Sequence, residues 1–256
     1  MESITIISGG SWGTALAQTL SKNNNEILLY VRDKKLEKNI NQKHFNSKYF
    51  PEQQLSDSIT ATTNLKKAVI QSDIIFLSIP TDATRNLMTK IKSYLNKNII
   101  LISTAKGIEE NNYKRNSEII RQYCDNQIAV LSGPTHAEEV INELPTAAVI
   151  ASKNESVAKK IQNLIMSRTF RAYTNTDVVG VELGGAVKNI IAIAAGIADG
   201  LGYGDNTRAA LITRGLSEMR RLGIYMGGNA LTFSGLTGMG DLVVTCNSMH
   251  SRNRRF

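Results

Sequence analysis

Residues 4–20 read ITIISGGSWGTALAQTL, and the fold of the chain turns on that stretch. A short apolar run, a turn carrying glycines and a helix start follow one another, which is how a dinucleotide site opens. In the pattern Gly-x-Gly-x-x-Gly the first glycine makes the tight turn, the second lets a pyrophosphate approach the backbone, and the third lets the helix pack closely on the strand. Gly10 and Gly13 hold the second and third positions, and Ser8 holds the first. Ser8 is small, and Gly9 beside it is expected to absorb the unusual dihedrals, so the turn stays feasible. The helix start after Gly10 offers free N–H groups and the positive end of a dipole to a phosphate, making Gly10, Ser11, Trp12 and Gly13 the candidate cofactor contacts. By itself the motif also suits an ordinary strand, turn and helix.

The next apolar run ends in LLYVRD. That place normally carries an acidic residue for the ribose 2′-hydroxyl, whereas an arginine accommodates a 2′-phosphate. Arg32 therefore favours NADP, and Asp33 beside it keeps NAD open. The same pair also reads as solvated charges at a strand end.

Seven apolar runs recur with helical segments between them: ITIIS, EILLYV, DIIFLSI, NIILIST, QIAVLSG, TAAVIAS and FRAYT. Runs that are apolar throughout, rather than alternating, suit a mostly parallel sheet covered on both faces. Residues 1–178 are expected to form a doubly wound α/β domain of the Rossmann type. Beyond Asp177 the texture becomes helical, so residues 179–256 are expected to form an all-helical substrate domain. Residues 34–49, rich in lysine and asparagine, read as a solvated helix and loop.

Composition narrows the classes. The chain has 256 residues, 42% hydrophobic and 20% charged, with a formal charge of +8. The lysines are scattered rather than gathered into a stripe with aromatics, which favours small phosphorylated ligands over nucleic acid. Two cysteines, Cys124 and Cys246, make neither a disulfide framework nor a metal site, and they suit a reducing compartment. No histidine, cysteine and carboxylate grouping has metal-ligand spacing, and no serine nucleophile elbow occurs. No secretory signal is visible, and the apolar run IIAIAAGIA is shorter than the roughly 20 residues a bilayer needs. A cytoplasmic protein with no membrane insertion is expected.

SGGSWGTALA, STAKGIE, LSGPTHAEEV, ELGGAVKNIIAIAAGIADGLG, NTRAALITRGLSEM, GLTGMGDLVVTC and SRNRRF follow one another in that order. Together they closely resemble the NAD(P)-dependent glycerol-3-phosphate dehydrogenases of the bacterial type. The resemblance runs from Ile4 to the last residue. It implies a helical domain like the C-terminal domain of 6-phosphogluconate dehydrogenase, a homodimer, and hydride transfer between a nicotinamide and C2 of glycerol 3-phosphate or dihydroxyacetone phosphate, supplying phospholipid synthesis. Two departures stand out: Ser8 replaces the usual glycine, and family members continue through a further helical segment past position 256. The substrate domain is therefore expected to be incomplete, with Arg252 and Asn253 on a poorly ordered terminus, and the chain to bind cofactor while turning over little.

Oxidising a secondary alcohol requires a base for the hydroxyl proton, and in reduction the same group donates it. The resemblance assigns this to Lys188, which on a helix has Gly184 and Gly185 one turn before it and Ile191 and Ala192 one turn after. With no carboxylate at those positions, a surface ion pair explains it poorly, although a lysine can also lay its stem over apolar surface. Burial beside a second cation, supplied by Lys106, would lower its pKa toward the working range. By resemblance Lys106, Gly133 and Thr135 contact substrate, and Lys106, Ala137 and Arg252 also meet the cofactor. Asp241 is expected to orient the substrate hydroxyls or the lysine. Ser251, Arg252 and Asn253 would hold the substrate phosphate, arginine offering a two-pronged donor set. His136, inside GPTHAEEV, is an alternative base but is expected to serve packing or cofactor contact. Open beside this reading stand a two-domain dehydrogenase of phosphorylated sugar acids or 2-keto acids, and a non-catalytic nucleotide-sensing module.

Overall fold

The structure is a computed structural model that describes residues 2–23 and 25–255. Its sheet has eight strands: β1 (Ile4–Ile7), β2 (Ile27–Tyr30), β5 (Ile59–Thr62), β6 (Ile74–Leu77), β7 (Ile100–Ser103), β8 (Gln127–Ser132), β9 (Thr146–Ala151) and β10 (Phe170–Asn175). A separate two-stranded hairpin is formed by β3 (Phe45–Asn46) and β4 (Phe50–Gln54). The sheet order is β10-β9-β8-β7-β6-β1-β2-β5. From β5 to β8 all neighbours are parallel, whereas β9 runs antiparallel to β8 and parallel to β10.

The central strands are buried on both faces because helices cover both. On one side, Ile4, Ile6, Ile74, Phe76, Ile100 and Ile102 pack with residues of α1 (Ser11–Ser21), α2 (Lys34–Lys43), α6 (Ala137–Ile141) and α7 (Glu155–Ile165). On the other, Ile7, Ile75, Leu77 and Leu101 meet α3 (Leu65–Ile70), α4 (Thr81–Ile91) and α5 (Asn116–Arg121). Alternate residues of one strand thus serve opposite cores, which leaves no polar face to mark in the sequence.

Two expectations need correction. The unusual dihedral of the first turn falls on Ser8 itself, with φ of 141°, and not on Gly9. The carbonyl of Ser8 lies where a Cβ on Gly13 would sit, so the turn is fixed by the close approach of α1 to the strand end. Residues 34–49 are not merely solvated: Leu36 and Ile40 of α2 are buried, and Asn46 in the hairpin is buried, donating to the Gly9 carbonyl at 3.0 Å and to Thr14 Oγ1 at 2.7 Å. The strand β5 had no legible signal in ITAT, whose threonines look like a turn.

After β10 the chain enters α8 (Val178–Gly200), followed by α9 (Asp205–Tyr225), α10 (Ala230–Phe233), a π-helical turn (Leu236–Gly240) and α11 (Asp241–Asn247). Helix α8 is the core of this half, packed on α9, α10, the π turn and α11. Leu183, Ala192, Ala195, Met219, Phe233, Leu242 and Cys246 form its centre. At 23 residues this helix is long and apolar enough to cross a bilayer, as the run IIAIAAGIA alone is not, but 56% of its most apolar stretch is buried inside the protein.

Candidate active site

The site lies along the carboxyl ends of the parallel strands, where ligands collect in open α/β sheets. At one end, a cleft of about 710 Å³ is lined by Gly9, Gly10, Arg32, Asp33, Tyr49 and Pro80. A Cβ on Gly9 would come within 2.5 Å of Val31 Cγ1, so the turn is closed to side chains and open to an elongated ligand. Among the described residues no side chain caps α1. Its first amides are left for an anion, as a pyrophosphate requires. Asp33, by contrast, accepts from the amide of Lys35 at 2.7 Å and caps α2, which its sequence position did not reveal. A nicotinamide dinucleotide fits this half on three grounds: the glycine cradle, the uncapped helix start, and the exposed Arg32 at the β2 end.

At the other end, three distant segments meet. Lys106, beyond the end of β7, donates through Nζ to the Gly133 carbonyl at 2.7 Å and to Asp241 Oδ2 at 2.8 Å. Lys188, on α8, donates to Asp241 Oδ1 and, at 2.7 Å, to Thr245 Oγ1. One carboxylate, 1% exposed, therefore bridges two ammonium groups, and Lys188 itself is 6% exposed. The carboxylate that Lys188 lacks one turn away on its own helix comes from α11. Thr245, one turn after Asp241, was not singled out in the sequence; the four-residue spacing within GDLVVT was its signal. Burial and then the Lys106 charge push the Lys188 pKa down to about 8, against the opposing pull of Asp241.

The glycine pair before Lys188 has a physical reason. A Cβ on Gly184 would run into the Thr237 carbonyl, and one on Gly185 would come 2.8 Å from Ser132 Oγ and 3.3 Å from the Lys106 stem. Only glycines let α8 lie this close to both the π turn and the strand ends. Glu182, a turn and a half upstream, accepts from the Ser117 amide at 2.8 Å, Ser117 Oγ at 2.6 Å and Arg115 Nη1 at 2.5 Å, tying α8 to α5. Gly133 adopts φ of 141°, which only glycine tolerates freely, and this turns its carbonyl toward Lys106. Thr135 Oγ1 donates back to that carbonyl at 3.2 Å. Ala137 is buried at the start of α6, beneath the turn.

A cavity of about 480 Å³ opens on Lys188 and is lined also by His136, Thr245, Ser251, Arg252 and Asn253. In the described tail Ser251 is 4% exposed and Arg254 is ion-paired to Asp199. His136 does not touch Lys188 through a hydrogen bond, and its buried Nε2 has no partner among the described residues. Burial, then the Lys188 charge, holds its imidazole below the ordinary range. Among the described residues no group of three metal-binding side chains gathers.

Residues 3–158 match the family described as NAD-dependent glycerol-3-phosphate dehydrogenase N-terminus, and residues 177–256 its C-terminus. The chain belongs to the NAD-dependent glycerol-3-phosphate dehydrogenase family. It is 66% identical over 253 residues to the glycerol-3-phosphate dehydrogenase (NAD(P)+) of Halothermothrix orenii, covering 99% of this chain and 74% of that one. With the enzyme of the same name from Bacillus subtilis it shares 49% identity, covering 100% and 75%. The crystal structure of glycerol-3-phosphate dehydrogenase from Coxiella burnetii superposes with a TM-score of 0.95 at 38% identity, over 99% of this chain and 78% of that one. The Rossmann-type sheet followed by a helical half is thus a family trait.

Proposed function

We propose that this dehydrogenase-family chain reduces dihydroxyacetone phosphate to sn-glycerol 3-phosphate with NADPH or NADH, reversibly, supplying glycerophospholipid synthesis. The carrying observation is the pair of ammonium groups on one buried carboxylate, of which Lys188 opens on a cavity lined by Arg252 and Asn253. Residues 1–178 form the nucleotide half and 179–256 the substrate half. When bound, the nicotinamide supplies or accepts the hydride at the substrate's C2. Everything else falls to side chains.

In reduction, the Lys188 ammonium donates its proton to the carbonyl oxygen; in oxidation the neutral amine takes the hydroxyl proton. Asp241 and Thr245 hold Nζ in place, so the proton is delivered from a fixed point. Lys106 lowers the affinity of Lys188 for its proton and adds a positive charge for the substrate, while Gly133 and Thr135 shape the wall beside it. Ser251, Arg252 and Asn253 hold the phosphate, with arginine making paired charge-assisted bonds. Gly10, Ser11, Trp12, Gly13, Arg32 and Ala137 hold the cofactor, with Lys106 and Arg252 reaching both ligands. A homodimer in the cytoplasm is part of the same reading, from the family resemblance.

The test is the loss of reduced nicotinamide absorbance with dihydroxyacetone phosphate as acceptor, compared with a phosphorylated sugar acid and a 2-keto acid. Consumption with the triose phosphate alone is expected. Turnover of the keto acid instead would assign the chain to the other two-domain dehydrogenases. Tight NADPH binding with no turnover of any acceptor, in a chain extended to its relatives' length, would make it a sensing module.

A further inference from the structure

The described tail lies directly on α8. A Cβ on Gly196 would occupy the position of the Arg254 carbonyl, so the backbone of the tail rests on the helix where glycine leaves room. Arg254 donates through Nε at 3.0 Å and Nη2 at 2.9 Å to Asp199 Oδ2, and through Nη1 at 3.0 Å to the Asn247 carbonyl. The other oxygen of Asp199 accepts from Arg208 on α9, at 2.6 Å from Nη2 and 3.1 Å from Nε. Hydrogen bonds from Arg208, and then from Arg254, hold the Asp199 carboxyl below the usual carboxylate range. Upstream, the buried Ser251 accepts from the Arg254 amide through Oγ at 3.2 Å. The tail is thus fastened to α8 at Arg254, and the buried Ser251, bonded to the Arg254 amide, closes the turn that precedes it. Between the two stand Arg252 and Asn253, both lining the cavity that Lys188 faces.

We propose that Asp199, bridging Arg208 and Arg254, is a positioning residue for the anion-binding arc 251–253: it fixes the distance between the substrate's phosphate contacts and Lys188. This rests on the phosphate role of Arg252 read above. Partly exposed ion pairs contribute little to stability on their own. Their geometry matters more, because a phosphate contact displaced by about 1 Å costs up to 10²-fold.

The experiment is calorimetric titration of glycerol 3-phosphate into the chain saturated with NADP+, with NADPH affinity and melting temperature measured alongside. Arg252→Ala tests the underlying reading and is expected to weaken glycerol 3-phosphate strongly. Asp199→Asn, which leaves two guanidinium groups sharing a neutral amide, is expected to weaken it roughly 10-fold, well above its effect on NADPH. Gly196→Ala keeps every charge and adds a better helix former, yet its methyl group pushes the tail off α8. It should lose glycerol 3-phosphate affinity to a similar extent with no fall in melting temperature. If Arg252→Ala loses affinity while Asp199→Asn and Gly196→Ala both bind like the parent, the clamp is refuted and the phosphate reading stands. If Asp199→Asn loses both ligands and melts early while Gly196→Ala is unaffected, Asp199 is structural and the proposal fails. If Arg252→Ala binds normally, or the parent chain does not bind glycerol 3-phosphate, the phosphate reading falls and takes the clamp with it.

Discussion

The two ends of the site are built on opposite plans. The nucleotide end is local: Ser8, Gly10 and Gly13 are neighbours in one turn, the groups presented there are the backbone amides at the start of α1, and Arg32 is exposed to solvent. The proton-transfer end is assembled from Lys106, Lys188 and Asp241, which lie on three segments and are held by two ion pairs. A local site tolerates change in side chains as long as the backbone path is kept. A convergent one depends on its shared partner, since removing Asp241 leaves two neighbouring ammonium groups uncompensated.

The sharpest test of this contrast is Lys188→Ala, assayed in a chain extended to its relatives' length. Turnover is expected to fall about 10²–10⁴-fold with NADPH affinity nearly constant, because the group acts only at the reacting carbon's oxygen. Comparable losses in binding and turnover would erase the division of labour between the two ends.

Arg32→Glu probes the other end. A charge-assisted contact worth about 1.5–3 kcal/mol becomes a repulsion, so NADPH should weaken by roughly 10- to 100-fold while NADH changes little. Equal losses measured by fluorescence titration would remove the 2′-phosphate role from Arg32.

The pH profile separates the two directions of the reaction. With the Lys188 pKa pushed down to about 8, the neutral amine required for oxidation accumulates as pH rises, and the ammonium required for reduction disappears. Oxidation should therefore rise about tenfold per pH unit up to roughly 8 and then level, whereas reduction should be flat below 8 and fall above it. Asp241→Asn removes the charge that favours the ammonium and should shift both curves to lower pH. A profile unchanged by that substitution would detach Asp241 from the proton.

The smallest effect concerns the departure at Ser8. A side chain at φ of 141° stores strain on the order of 1 kcal/mol, so Ser8→Gly should raise the melting temperature by a few degrees, partly offset by the freer unfolded chain. A lower melting temperature would mean that the Ser8 hydroxyl, which accepts from the Gly10 amide at 3.1 Å, contributes more than the strain costs.

Much of this molecule is legible without coordinates, because it is written over short distances. Seven of the eight sheet strands announce themselves as apolar runs, and the glycine turn, Arg32 and GPT all sit where a strand ends. Those signals are local because the parallel sheet is buried on both faces and its ligand edge follows from strand direction. The eighth strand, β5, escaped because its threonines resemble loop, and it is held by pairing with β2 rather than by its own preferences. Asn46 under the turn and Thr245 beside Lys188 escaped as well, each being a polar residue whose partner lies in another element, whereas the cap at Asp33 is local, two residues from its partner amide.

Sequence alone determined the doubly wound sheet, the helical half, and the identity of the residues at the strand ends, since hydrophobic period and glycine placement act over a few residues. Tertiary structure decided which charges meet. Lys106, Lys188 and Asp241 are up to 135 positions apart, and only the packing of α8 through Gly184 and Gly185 brings them onto one carboxylate. The pKa of Lys188 belongs to that packing as well: desolvation and the field of a neighbouring ammonium exist only once the helix is in place.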